Sequence, residues 1–159
     1  MNLMAPYLLN LIILQIYGIW NWRKTCCLVI FHEMFVMVDP FENFTAYDNY
    51  FIGSIPISLR NCTSLVRVRL ERNQLRGNLS EDFGIYPKLM YIDLSYNHFY
   101  GELSQKWGQC QSLQSLKISD NRISGVIPLK LGRSTELHVL DLSFNHLVGL
   151  RKVDIIVSP

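Results

Sequence analysis

The chain has 159 residues, a formal net charge of +2 and 49% hydrophobic residues. That length fits one domain with enough apolar material for a core. Its 15 Lys and Arg residues form no cluster of the kind that tracks a phosphate backbone, which disfavours nucleic acid as a partner.

At the N-terminus, Leu3 to Trp20 is an uncharged apolar run of 18 residues, a marginal length for a membrane span. No Lys or Arg precedes it and no A-x-A-like cleavage site follows, while Arg23 and Lys24 beyond it tend to hold that side in the cytosol. Three readings stay open: an uncleaved anchor or poor signal, a cleaved signal, or sequence outside a genuine exon. Membrane association through residues 3–20 follows from the first. The second run, Cys26 to Val38, is broken by His32 and Glu33 and is too short to span, so it is expected to pack on the next segment as an improvised cap. Residues 1–40 are therefore set apart as a hydrophobic N-terminal segment.

From residue 41 the chain repeats. Asn49, Asn73, Asn97, Asn121 and Asn145 are each 24 residues apart, and Gly53, Gly77, Gly101, Gly125 and Gly149 keep the same step. The shared frame is L-x-x-L-x-L-x-x-N-x-L-x-G-x-I-P. It is filled by Leu65, Val68, Leu70, Asn73, Leu75, Gly77 and Leu79 in one turn, and by Leu113, Leu116, Ile118, Asn121, Ile123, Gly125, Ile127 and Pro128 in another. Apolar residues two apart, such as Val68 and Leu70, mark a short strand in each turn, and a fixed period of this length marks a solenoid. Pro56 and Pro128 stiffen the return limb. A further apolar column of Leu59, Phe83, Trp107 and Leu131 closes the far side of the core. The Asn column is expected to satisfy backbone groups that the corner leaves unpaired.

These features are those of the leucine-rich repeat. The expected fold is a right-handed α/β horseshoe with short parallel concave strands and irregular or 3-10 convex limbs, five repeats over residues 41–149, and a tail at 150–159. With the L-x-G-x-I-P return, "FENFTAYDNYFIGSIP", "LRNCTSLVRVRLERNQL" and "LHVLDLSFNHLVG" resemble the ectodomains of plant leucine-rich-repeat receptor-like kinases that perceive secreted peptides. The resemblance implies a recognition module with a secreted peptide or co-receptor as partner, facing the outside of the plasma membrane, without a cofactor. Full-length relatives carry a serine/threonine kinase. No Gly-rich nucleotide loop, H-R-D or D-F-G signature occurs here, so no enzyme activity is expected of this chain. The ends depart from the family: "NWRKTCC" only faintly matches the usual cap, and "LRKVDIIVSP" replaces the last return. Leu137, Leu140 and Leu142 are thus expected to form an uncovered apolar end, making residues 41–159 marginal or self-associating. Two alternatives to a receptor piece are a secreted leucine-rich-repeat scaffold or inhibitor, and a truncated product without function.

The candidate binding residues lie at the third, fifth, seventh and eighth frame positions, which are expected to face solvent on the concave strands. The binding set is Arg67, Arg69, Arg72, Tyr91, Asp93, Tyr96, Lys117, Asp120, Asp141 and Phe144, with Glu71, Ser95, Ser115, Ser119, Val139 and Ser143 sharing that face. By the same resemblance, Arg67-Val68-Arg69 looks like an R-x-R pair that holds a ligand's terminal carboxylate. Against this, Arg69, Asp93, Lys117 and Asp141 alternate in sign down one column and are expected to neutralise one another across strands.

Three N-x-S/T sequons begin at Asn43, Asn61 and Asn78, of which Asn61 and Asn78 are expected to point outward and Asn43 onto the concave face. Cys62 and Cys110 occupy one column two repeats apart, about 10 Å, past the roughly 7 Å limit for a bridge, so both are expected as core fillers. "HEMFV" at His32 lacks the second His of a zinc-protease helix, and no metal site is expected. His98 and His146 each follow a ladder Asn, where a polar surface residue belongs.

Overall fold

The computed structural model describes residues 42–148 together with two short strands that precede them, β1 (Ile19–Asn21) and β2 (Val29–Ile30). The rest of the apolar run, Cys26, Cys27, His32 and the tail at 150–159 lie outside the described residues. The first full turn contains β3 (Asn43–Thr45), β4 (Phe51–Gly53) and a four-residue helix α1 (Ile57–Arg60). The second contains β5 (Arg67–Arg69), β6 (Gln74–Asn78) and α2 (Leu79–Asp82). The third has β7 (Tyr91–Asp93), β8 (His98–Glu102) and a 3-10 segment at Gln105–Gln109. The fourth has β9 (Ser115–Lys117), β10 (Arg122–Gly125) and α3 (Leu129–Gly132), and β11 (Val139–Asp141) and β12 (His146–Leu147) follow.

Odd-numbered strands form one six-stranded parallel sheet and even-numbered strands a second. In the first, the concave sheet, Asn43 pairs with Arg67, Arg67 with Tyr91, Tyr91 with Ser115 and Ser115 with Val139, so the sequence period is the pairing register. The same step pairs Ile19 with Asn43, which carries the register back into the end of the apolar run. The second sheet, which the sequence reading did not include, lies after the Asn of each turn and ahead of convex limbs that carry the short helices and the 3-10 segment. Its physical cause is an alternation of period two: Gln74 and Arg76 are exposed while Leu75 is buried, and His98 and Tyr100 are exposed while Phe99 is buried.

The core lies between the two sheets and the convex limb. Val68, Ile92 and Leu116 point into it from successive concave strands, and Leu59, Phe83, Trp107 and Leu131 close it from the far side, all buried. Phe83 contacts Phe99 edge-to-face at 5.8 Å and Trp107 at 5.7 Å. Each such side chain contributes roughly 1.5–3 kcal/mol when fully buried. Cys62 and Cys110 are both buried in this core, as their column requires. The last turn is better covered than expected: Leu137 and Leu142 are buried and Leu140, paired with Leu116 of the preceding turn, packs against the core.

The Asn column binds the turns together. Asn97 Nδ2 donates to Leu70 O at 2.9 Å and to Leu94 O at 3.0 Å, while its Oδ1 accepts Leu75 N–H at 3.0 Å. Asn121 does the same with Leu94 O, Ile118 O and Phe99 N–H. Asn73 and Asn145 repeat the pattern, so Leu70 O, Leu94 O and Ile118 O each receive two amides from consecutive turns. Just before each Asn the backbone is left-handed, at Asp48, Arg72, Tyr96, Asp120 and Phe144, with φ between 53° and 58°.

Replacing Asn97 by Ala leaves the buried Leu75 N–H without an acceptor and opens the ladder at its middle. The expected cost is about 3 kcal/mol, the sum of a stranded buried donor and the broken bonds around it. Urea melts of Asn97→Ala against wild type measure it, and a loss below about 1 kcal/mol would show that the ladder is decorative.

Candidate functional site

The concave sheet presents short strands whose middle residue is buried, so the residues on either side of it lie on the outer surface of the sheet. Arg67 is exposed, with its guanidinium 4.7 Å above the Tyr91 ring. Lys117 approaches the same ring at 5.9 Å. Arg69 is half-buried, stacked 3.9 Å over Tyr47 and paired with Glu71, whose Oε1 accepts its Nε–H at 2.9 Å.

The expected cross-strand ladder is therefore corrected at Arg69 and Asp93, while at its far end the Lys117 charge acts on Asp141, its partner on the next strand. Arg69 is held by Glu71, two residues along its own chain, because the backbone beyond β5 turns and brings that carboxylate alongside. Asp93 is only 7% exposed, and its oxygens accept from Tyr91 Oη–H at 3.3 Å and from Ser95 N–H at 3.1 Å. Asp141 is tied to Ser143 through its N–H and hydroxyl.

The seventh frame position also departs from expectation. Glu71, Ser95 and Ser119 are buried, as is Ser115 at the third, because neighbouring side chains crowd the inner curve of the sheet. Only the outermost of these serines, Ser143, is exposed. The eighth position behaves in the opposite way. Its left-handed backbone throws the side chain outward, so Arg72, Tyr96 and Phe144 are exposed, Phe144 at 80%, with Asp120 half-buried. Arg72 lies 4.8 Å over the Tyr96 ring and 3.9 Å from Asp48 Oδ1. Arg67, Tyr91, Arg72, Tyr96 and Lys117 thus form a cationic and aromatic band, with Phe144 exposed on the last described turn.

Burial pushes the Glu71 carboxyl above the usual carboxylate range, although the Arg69 hydrogen bond opposes it. Burial also works against the Arg69 charge, and the hydrogen bond and charge of Glu71 outweigh it, so the guanidinium stays protonated. Burial opposes the Asp141 charge too, yet Ser143 and the Lys117 charge hold its carboxyl below the ordinary value.

Tyr47, the platform under Arg69, was missed in the sequence. The signal is its column, since Tyr47 stands 24 residues before Glu71. Among the sequons, Asn61 is exposed. Asn78 instead caps α2, accepting Ser80 N–H at 3.1 Å while its Nδ2 donates to Glu81 at 3.0 Å, and it fills the space beside Gly101. Gly101 has φ 84°, and a Cβ there would collide with the Asn78 amide. Asn43 is half-buried in β3 beside Arg67. His98 and His146 are exposed, as their place after the Asn suggests. Among the described residues no three metal-ligating side chains converge, and no helix is long and apolar enough to cross a membrane.

A family model described as leucine rich repeat matches residues 87–147. The fold is the leucine-rich-repeat solenoid, similar to the ectodomains of plant receptor kinases. The plant peptide hormone receptor RGFR1, solved with RGF2, is 34% identical, with TM-score 0.64, over 67% of this chain and 17% of that one. The ectodomain of the Arabidopsis thaliana membrane receptor kinase GASSHO1/SCHENGEN3, solved with CASPARIAN STRIP INTEGRITY FACTOR 2, is 34% identical, with TM-score 0.63, over 67% of this chain and 13% of that one. The Arabidopsis receptor kinase HAESA, solved with the peptide hormone IDA and the co-receptor SERK1, is 29% identical, with TM-score 0.63, over 67% and 18%. The chain therefore spans under a fifth of each of these structures. No curated protein sequence matches it.

Because the Glu71 carboxyl is raised by burial, folding favours its protonated form. Its contribution to stability is present below the usual Glu value and is lost as pH rises through the raised one. Glu71→Gln is therefore expected to gain stability relative to wild type between about pH 4 and pH 7. Urea melts of both proteins at the two pH values check this, and a difference that does not change with pH contradicts it.

Proposed function

We propose that residues 42–148 form a recognition module, displayed outside the plasma membrane, that binds a secreted peptide or a co-receptor-like protein along the concave sheet. The repeats supply a rigid parallel-stranded surface on which an extended chain can lie across several turns. The observation that carries the reading is Arg67, an exposed guanidinium stacked on Tyr91 with no acidic partner among the described residues. Charge-assisted contacts to such a group are among the stronger polar contacts open to a ligand. In this reading Arg67 receives an anionic group such as a terminal carboxylate, and Tyr91, Tyr96 and Arg72 line the path beside it. Arg69 is a framework residue held by Glu71. The buried Asp93 acts indirectly, by fixing Tyr91. The similarity to receptors solved with peptide hormones supports the ligand class. Of the three sequons, the exposed Asn61 suits a glycan best, since Asn78 is occupied as a cap.

The test is a binding titration of the chain against synthetic extended peptides with free C-termini and against amidated copies. Arg67→Ala is expected to weaken binding by about 1.5–3 kcal/mol, roughly ten- to a hundredfold, and Arg69→Ala by less than that. Equal affinity for free and amidated peptides, with Arg67→Ala binding as wild type, would show that Arg67 is not the anchor.

A further inference from the structure

Arg67 and Arg69 flank the buried Val68 on β5, so both rise from the same face of the concave sheet. Two residues along a strand set their Cα atoms about 6.6 Å apart, close enough for one carboxylate to lie between two such long side chains. The Arg69 side chain is 32% exposed, within reach of a ligand. Its charge is already engaged: Glu71 Oε1 accepts its Nε–H at 2.9 Å and pairs with its Nη2.

The coil does not require an acid at that corner. Ser95, Ser119 and Ser143 hold the equivalent place in the next three turns, and Tyr47 holds it in the turn before. Glu71 is also incompletely satisfied there, since its Oε2 is buried without a hydrogen-bond partner. Among the described residues Arg69 is the one cation paired with it. Asp93 on the next strand repels it, and Lys117 lies one strand further, opposite Asp93. Arg72, next along the chain, is turned to the Tyr96 ring and to Asp48. Tyr91 and Tyr47 are the other titratable groups against the pair, and neither brings a positive charge. A ligand's terminal carboxylate is chemically the same group as the Glu71 side chain, and one guanidinium fork holds either.

We propose that Glu71 determines the affinity of the concave site, as an internal carboxylate that competes with the ligand's for Arg69. The inference rests on the reading of Arg67 as the anchor of a terminal carboxylate. While Glu71 is charged, Arg69 stays with it and Arg67 binds alone. When Glu71 takes up a proton, the ion pair is lost and Arg69 is released to join Arg67 on the ligand. Glu71 acts through Arg69 and is in that sense a positioning residue.

The direction with pH follows from the two acids. A terminal carboxyl ionises at about pH 3.3–3.7. Burial raises the Glu71 carboxyl above the usual Glu value, which is itself higher. Between the two the ligand is charged and Glu71 is not, so affinity rises as pH falls through that window.

The full chain is titrated at about pH 7.5 and about pH 5 with synthetic extended peptides bearing free C-termini, and with amidated copies. Glu71→Gln is expected to bind the free peptide about fivefold more tightly than wild type at the higher pH. So is Glu71→Ser, which copies the residue of the next three turns. Wild type is expected to close most of that gap at the lower pH, and the amidated copies show neither effect. Adding Arg69→Ala to Glu71→Gln is expected to abolish the gain, which a merely structural Glu71 would not do. Histidine side chains charge over the same range in wild type and variants alike, so the effect is read as the difference between them.

The Arg69 Nε–H resonance of the ligand-free chain is an independent reading. It is expected to move between the two pH values in wild type and to stay in place in Glu71→Gln. Thermal melts report folding, and Glu71→Ser serves if the Gln variant is unfolded. If no peptide binds, the Arg69 resonance decides. An Arg69 resonance that stays fixed in wild type overturns the inference. So do folded Glu71 variants that bind as wild type at the higher pH while Arg67→Ala still weakens binding. Binding indifferent both to Arg67→Ala and to amidation overturns the concave reading itself, and the inference with it.

Discussion

One side-chain amide per turn holds the molecule together. A parallel coil leaves backbone donors and acceptors facing inward at each corner, where no water is at hand to satisfy them. Asn73, Asn97, Asn121 and Asn145 satisfy them across turns, each giving its amide hydrogens to carbonyls of its own and the preceding turn and its oxygen to an N–H of the preceding turn. Because Leu70 O, Leu94 O and Ile118 O are shared between consecutive Asn residues, the bonds run as one continuous ladder. That ladder ties the register of one sheet to that of the other, and hence sets which side chains share a face.

The surface chemistry follows from the same corner. To bring each Asn inward, the residue before it adopts a left-handed backbone, which costs an ordinary side chain about 1–2 kcal/mol. Arg72, Tyr96 and Phe144 bear that strain and are turned outward as a result, so the most exposed aromatic and basic groups of the concave band come from the geometry of the ladder. Immediately before them the curve tightens, and Glu71, Ser95 and Ser119 are buried. Local pairing then divides the arginines: Glu71 takes Arg69, and Arg67 is left over Tyr91.

Much of the fold was legible in the sequence because the ladder demands one residue type at a fixed spacing. Asn and Gly columns at a step of 24 residues locate each concave strand, and Leu59, Phe83, Trp107 and Leu131 locate the far wall. The strand at Ile19–Asn21 was hidden because Thr25 and Val29 stand where the Asn and Gly columns would continue. The second sheet was hidden because its alternation lasts only two or three residues per turn, too short to rise above the longer period. The electrostatics of the candidate site were the least legible part. Column order suggested that Arg69 meets Asp93, whereas the nearer Glu71 and a hydroxyl from Tyr91 claim those groups first, and a one-dimensional pattern does not rank partners by distance.

The ladder is tested most directly by native-state hydrogen exchange at the three amides that Asn oxygens accept beyond the first turns: Leu75, Phe99 and Ile123. If the Asn column holds the coil, Leu75 and Phe99 exchange only through global opening, with protection as high as that of the concave-strand amides, and Ile123 is close behind. Exchange of these three at the rate of exposed turn amides, while the concave strands stay protected, would contradict the account.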